Sequence, residues 1–442
     1  MSFSCERGEL LAIAGPSGCG KSTLLRCING INPHVTGGAM AGDILFDGRS
    51  IRDEMPEDRW GRMGTVFQDF EAQIIHFTVE DELAFGLENM AARPAEIDRR
   101  IDEIVPVIGL ARGEETGSLS GGQKQRLCVG GALACSPELL LLDEPLSNLD
   151  ADSVRGLLNA LVLQKERGRA VVVVEHRLDL IGKHADRVLW LEEGRLTGTA
   201  GRLPPVPVYS GGKNASGEPA IRARGLAFAY RKGTPVFSGV DLTIGQGEMA
   251  VVLGRNGSGK STLLKMLAGL LPVQDGSLHI MGEDARRRPA SFFRRQVALV
   301  TQNPNHQLFM DSVYNEIFFN CRDDRLTRDT LETFGLERLR DRHPYSLSEG
   351  EKRRTALAAA IAARPKIILL DEPTLGQDRA NLLRMIEALR QYNEKAGLTV
   401  VTVTHEEAAA RALGDRAVAF VRGALEPLTD DSIKKYFSRN SQ

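Results

Sequence analysis

Six short apolar runs stand out along the chain, in two sets of three. The first set is Leu10–Ala14, Leu139–Leu142 and Ala170–Val174. The second is Met249–Leu253, Ile367–Leu370 and Thr399–Val403. None of them alternates apolar with polar residues. A strand with one wet face alternates with period two, so continuous runs predict parallel strands covered on both faces. A Gly-rich turn and helix-favouring sequence follow the first run of each set, which predicts an α/β fold, a mostly parallel sheet packed between helices. Gly42–Gly48 (GDILFDG) and Gly276–Gly282 (GSLHIMG) read as strands of small antiparallel side sheets. Glu71–Leu119 and Asn303–Leu347 are polar, helix-favouring stretches inserted into each core.

The two sets are copies of one unit. GPSGCGKST starts at Gly15 and GRNGSGKST at Gly254, an offset of 239; Gly8-Glu9 recurs as Gly247-Glu248 at the same offset. LLLLDEP ends at Pro145 and IILLDEP at Pro373, an offset of 228, and VVVVEH and VVTVTH end at His176 and His405, an offset of 229. Four blocks in one order mark an internal repeat. The stretch Leu203–Pro219, rich in Pro, Gly and Ser, reads as a linker. The predicted organisation is a first domain over 1–202, the linker over 203–219 and a second domain over 220–442.

The motifs point to nucleotide chemistry. Gly15, Pro16, Ser17, Gly18, Cys19, Gly20, Lys21, Ser22 and Thr23 fit GxxxxGK[ST] between a strand and a helix, and so do Gly254, Arg255, Asn256, Gly257, Ser258, Gly259, Lys260, Ser261 and Thr262. Glycines let successive backbone N–H groups curl around phosphate oxygens at a helix N-terminus. The lysines reach the β- and γ-phosphates, and Ser22 and Ser261 can ligate Mg²⁺. Asp143 and Asp371 end buried-type strands, each followed by a glutamate. The aspartates suit a Mg²⁺ shell, and Glu144 and Glu372 suit general-base work on a water. A DE pair alone is usually a solvated surface pair; ending such a strand sets these two apart.

LSGGQKQR (Leu119–Arg126) resembles the signature of ATP-binding-cassette (ABC) ATPases, and LSEGEKRR (Leu347–Arg354) is its counterpart. The resemblance covers nearly the whole chain and implies two P-loop NTPase domains with an inserted helical subdomain, ATP and Mg²⁺ as ligands, and ATP hydrolysis. It implies that the two cassettes pair within one chain, each nucleotide lying between one P-loop and the other signature: Ser120, Gly121, Gly122 and Gln123, or Ser348, Glu349, Gly350 and Glu351. It further implies that Gln68 and Gln302 are Q-loop glutamines near Mg²⁺ and water, His176 and His405 switch histidines at the γ-phosphate, and Asp150 and Asp378 D-loop aspartates. Tyr230 resembles the aromatic that stacks on adenine; a packing tyrosine in a first strand is the alternative.

The segments after the Q-loops, FQDFEAQIIHFTVEDELAFGLEN (Phe67–Asn89) and TQNPNHQLFMDSVYNEIF (Thr301–Phe318), resemble those of energy-coupling-factor (ECF) and cobalt-uptake importers. That implies a transmembrane T component, a substrate-capturing S component, a vitamin or transition-metal cargo, and a place on the cytoplasmic face of the membrane. Gln73 and Gln307 fall in these segments; surface polarity is their plain reading. Two alternatives stay open, a soluble ABC-F-type translation factor and a tandem-cassette sugar importer.

Composition narrows the partners. A formal net charge of -2 over 442 residues shows no basic excess for nucleic acid. Six scattered cysteines without a CxxC pair read as reduced thiols of a cytosolic protein. No apolar run approaches the ~18–20 residues that span a bilayer, so a pore would come from other subunits. The repeat is uneven in two places. Met1 aligns with Val240 at the P-loop offset, so the first copy has no counterpart of Ala220–Gly239 or of Tyr230; either the start is displaced or the first site is altered. Glu349 and Glu351 replace Gly121 and Gln123, which is expected to bring negative charge toward a γ-phosphate.

Overall fold

The computed structural model describes the chain except residues 17, 147–148, 150, 177, 199–217, 232, 255–256, 375–376, 378, 405–406, 422, 430–431, 434–435 and 437–442. It divides into two compact units, Met1–Leu203 and Pro204–Gln442. The described strands of the first unit are β1 Leu10–Ala14, β2 Leu45–Phe46, β3 Arg49–Ser50, β4 Met63–Val66, β5 Leu139–Asp143, β6 Ala170–Val174, β7 Arg187–Glu192 and β8 Arg195–Thr197. Those of the second are β9 Pro219–Phe228, β10 Phe237–Gly245, β11 Met249–Leu253, β12 Asp275–Ile280, β13 Glu283–Asp284, β14 Val297–Val300, β15 Ile367–Asp371, β16 Thr399–Val403, β17 Arg416–Val421 and β18 Ala424–Leu428.

The main sheets repeat one topology, β4-β5-β6-β1-β7-β8 and β14-β15-β16-β11-β17-β18. In each, five strands run parallel and the last turns back antiparallel. Every residue of β1, β5 and β6 is buried. Because side chains alternate between faces, each run feeds two cores. Leu10, Ala12, Leu140, Leu142, Val171 and Val173 enter one; Leu11, Ile13, Leu139, Leu141, Val172 and Val174 enter the other. Apolar side chains facing both ways, Ala170 joining the second core, explain the absence of period-two alternation. The inserted stretches hold helices Val79–Asn89 and Pro94–Ile108 in the first unit, and Val313–Cys321 and Asp324–Phe334 in the second. In the first unit Val79, Leu83, Ile101 and Ile108 pack on Leu127 of helix Gly121–Ala134, joining the insert to the signature helix.

Two expectations shift. The GDILFDG strand shrinks to a two-residue hairpin arm, Leu45–Phe46, whereas its counterpart belongs to a four-stranded sheet, β10-β9-β12-β13. Pro219, expected in the linker, already pairs with Gly245 in β9. A proline has no N–H to donate and suits the first residue of a strand.

Candidate functional site

In both units the central strand, β1 or β11, runs between the third and fifth strands of the sheet order. The chain leaves its C-terminal end through the Gly-rich loop into helices Lys21–Ile28 and Lys260–Leu267. Gly20 and Gly259 occupy the N-cap positions with φ of 100° and 98°, and neither helix has a side-chain cap. A side chain is strained at that φ. With no cap to occupy them, first-turn N–H groups can receive an anion. Lys21 and Lys260 are buried; Lys21 Nζ donates to Gly15 O and Pro16 O at 2.9 Å each, and Lys260 Nζ to Gly254 O at 2.7 Å. Burial lowers the Lys260 ammonium, against the opposing pull of Glu372 and Asp371.

Beside each loop stands the DE pair. Burial pushes the Asp143 carboxyl up to about 6, although the Ser22 hydroxyl bonds to it. Asp371 is raised for the same reason, with Ser261 as its partner. Asp143 Oδ1 is buried without a hydrogen-bond partner among the described residues. An aspartate orphaned beside a serine hydroxyl is a hard-oxygen donor set that fits Mg²⁺. Glu144 and Glu372 both sit at φ 51°, in the left-handed region, and their N–H groups donate to Val174 O and Val403 O at 2.9 Å. The side chain thereby leaves the strand direction at the sheet's C-terminal edge. Gln68 Nε2 donates to Glu144 Oε2 at 3.0 Å, and His176 Nδ1 lies 3.8 Å from Oε1. Burial alone would raise Glu144; His176, Lys21 and Gln68 outweigh it and hold the carboxyl below its ordinary value. Lys21, Ser22, Gln68, Asp143, Glu144 and His176 therefore form one cluster. In the second unit the contacts join Lys260, Ser261, Asp371 and Glu372.

The signature motifs start helices Gly121–Ala134 and Glu349–Ala362. Ser120 and Gln123 cap the first reciprocally: the Ser120 hydroxyl accepts from Gln123 N, and Gln123 Oε1 accepts from Ser120 N at 2.9 Å. Ser348 and Glu351 do the same, with Glu351 Oε2 accepting from both N and Oγ of Ser348 at 2.9 Å. Glu351 thus caps its own helix N-terminus, where negative charge is favoured. Glu349 pairs with Lys352 at 3.1 Å. Tyr230 is 61% exposed, packs edge-on against Phe228 and brings its hydroxyl 3.3 Å from Thr262 Oγ1 of the P-loop. Ser17, Asp150, Arg255, Asn256, Asp378 and His405 lie outside the described residues.

A family model described as ABC transporter matches residues 1–147 and 237–375, covering the P-loops, DE pairs and signatures of both units. The chain belongs to the ABC transporter family. Its units are ABC cassettes, whose family binds and hydrolyses ATP, generally with Mg²⁺. Among relatives, "Putative ABC transporter ATP-binding protein" of Methanosarcina mazei is 33% identical over 96% of this chain and 84% of its own length. "Putative HMP/thiamine import ATP-binding protein YkoD" of Bacillus subtilis is 32% identical over 92% and 83%. The crystal structure of an archaeal ribosome recycling factor, aABCE1, in complex with the stalk protein aP1 aligns over 99% of this chain and 89% of its own, with TM-score 0.65. At 22% identity that likeness shows the fold alone.

Three contacts of the ABC cassettes were not read from the motifs. Glu175 is fully buried and accepts from Leu146 N at 2.9 Å and His176 N at 3.0 Å, tying the chain after the DE pair to His176. An acid ending the VVVV run, where the second copy has Thr404, was its signal. Gln125 Nε2, on the signature helix, donates to Glu144 O at 3.1 Å. Gln73 clasps the Q-loop: Oε1 accepts from Phe67 N at 2.8 Å and Nε2 donates to Thr65 O at 3.3 Å. Gln307 repeats this on Thr301 N at 3.0 Å and Leu299 O at 2.6 Å. Their plain reading as surface polarity is corrected: both are partly buried and bonded to backbone.

Proposed function

We propose that this chain is the ATP-hydrolysing subunit of an ECF-type membrane importer for a vitamin or a transition-metal ion. It would work with a T and an S component at the cytoplasmic face of the membrane. The observation that carries this reading is a docking feature repeated beside both Q-loops. In the first cassette a cavity of about 420 Å³ is lined by Trp60, Phe67, Gln73, Phe85 and Cys128. Ile75, whose N–H donates to the lining residue Glu82, is 59% exposed, and Phe77 is 88% exposed. In the second, Phe309 and Phe319 occupy the places of Ile75 and Phe85, 65% and 41% exposed, in edge-to-face contact at 5.5 Å. Large apolar residues grouped on a surface mark an interaction site. No helix among the described residues is long and apolar enough to cross a membrane, so the apolar partner would be another chain. The import named for the Bacillus subtilis relative supports the same direction.

Within each cassette the P-loop amides and Lys21 or Lys260 would bind the phosphates. Ser22, Gln68 and Asp143, and Ser261, Gln302 and Asp371, would hold Mg²⁺, which supplies charge neutralisation on the phosphate oxygens. Glu144 and Glu372 would take the proton of the attacking water, with His176 and His405 beside the γ-phosphate. Tyr230 would stack on adenine. The decisive test is partner dependence. Produced alone, the chain should leave membranes in a high-salt wash; produced with its T and S components, it should stay and hydrolyse ATP. Retention without partners, or co-sedimentation with ribosomes in place of membranes, would refute the reading.

A further inference from the structure

The two docking features differ in charge although the scaffold beneath them is the same. Gln73 and Gln307, Glu82 and Glu316, and Phe85 and Phe319 are all related by an offset of 234. They make matching contacts: Glu82 Oε2 accepts from Ile75 N and His76 N, and Glu316 Oε2 from Phe309 N and Met310 N. The edge strands start at the same offset, at Met63 and Val297. The segment leading into each edge strand holds the same place, a 3-10 turn Pro56–Arg59 in the first cassette and a helix Ala290–Gln296 in the second, and in the first it forms the cavity wall through Glu57, Trp60 and Gly61. At those three places the second cassette has Ser291, Arg294 and Arg295.

Charge follows. Residues 51–61 carry Arg52 and Arg59 against Asp53, Glu54, Glu57 and Asp58, a net -2, whereas 285–295 carry five arginines and no acid, a net +5. In the first segment Arg59 is buried and paired with Glu54 at 3.1 Å, which leaves Asp53, Glu57 and Asp58 exposed. In the second, Arg287 and Arg288 pair with Asp284 and Glu283 outside the segment. Arg294 and Arg295 are exposed, with no acidic partner among the described residues. Guanidinium groups at the places of Trp60 and Gly61, together with Arg322 stacked on Phe319 at 4.7 Å, suit an apolar segment bearing carboxylates, since Arg binds carboxylate in a bidentate fork. The same segment would meet Glu57 and Asp58 in the first cassette and be repelled there.

We propose that the second cassette receives a carboxylate-bearing segment of the membrane partner at Arg294 and Arg295, a segment the first cassette's acidic wall excludes. The two cassettes then read different parts of that partner, and charge sets which goes where. This rests on the importer reading. Rim charges of this kind govern specificity more than raw affinity.

The test places a photo-crosslinker, p-benzoylphenylalanine, at Phe85 or at Phe319 of the full chain in host membranes, and sequences the captured peptides. Two different segments of the membrane partner are expected, the one captured at position 319 containing Asp or Glu. Arg294→Glu with Arg295→Glu should lower capture at 319 by about tenfold and leave capture at 85 unchanged, and reversing the captured acids to Lys should restore it. The same segment captured at both positions, a 319 segment without carboxylates, or no rescue would overturn the charge proposal while the importer reading stands. Capture of no membrane protein at either position would overturn both.

Discussion

Replacing Asp143 by Asn should stabilise the nucleotide-free first cassette above pH 6 and change it little near pH 4. Burial raises the Asp143 carboxyl from about 3.8 to about 6. The folded cassette therefore keeps this proton up to about pH 6, while the unfolded chain releases it near pH 3.8. Between those values the folded state binds more protons, so the contribution of this group falls as pH rises and is flat above the interval. At about 1.4 kcal/mol per tenfold, the interval amounts to about 3 kcal/mol. Asn has the shape of the neutral acid and no charge to desolvate, so the variant should recover that amount at pH 7.5 and nothing near pH 4. Urea unfolding at several pH values, without Mg²⁺ or nucleotide, measures it. The two tryptophans, Trp60 and Trp190, both lie in the first cassette, so their fluorescence reports that cassette alone. A gain equally large at pH 4, or absent at pH 7.5, would refute the reasoning. Mg²⁺ with ATP should then stabilise the wild type far more than the variant, because the charge that is unfavourable without metal is the one proposed to bind it.

Lys260→Ala should remove most ATPase activity, since on the proposed reading that ammonium is the cation of a phosphate site otherwise built from backbone dipoles; wild-type turnover would contradict this. Glu351→Gln should leave nucleotide affinity and turnover close to wild type, because Gln123 makes the same cap with an amide; a change above about threefold in nucleotide titration would mean the carboxylate acts beyond its helix. Gln73→Ala should free the backbone at Thr65 and Phe67, losing about 1–2 kcal/mol of local stability and lowering turnover through Gln68, as hydrogen exchange and ATPase assays on one preparation would show.

The strands and the P-loop turns were legible because each depends on a local pattern: four or five mostly apolar residues without period-two alternation, or glycines at fixed spacing before a lysine. The cluster around Glu144 was legible in its members but not in its wiring. Glu175, Gln125 and Gln73 bond to backbone atoms 29, 19 and 6 residues away, and such a partner is fixed only by the tertiary fold. Glu351 shows a related limit: its cap on Ser348, three residues earlier, follows from the helix that starts there and was not read from the motif. The hairpin Leu45–Phe46 with Arg49–Ser50 is shorter than its sequence suggested because strand length depends on neighbours, and its counterpart β12 is paired with the ten-residue β9.

The left-handed backbone at Glu144 and Glu372 bears on how this protein can be improved. Holding an L-residue there costs roughly 1–2 kcal/mol, which is large against the 5–15 kcal/mol that keeps a typical domain folded. Asparagine tolerates the conformation better than glutamate. A directed-evolution campaign scored on heat resistance alone would therefore be drawn to these two codons and, on the general-base role proposed for Glu144 and Glu372, would enrich for proteins that survive heating and no longer turn over ATP. Any such library should hold positions 144 and 372 constant, or be scored on turnover after the heat step.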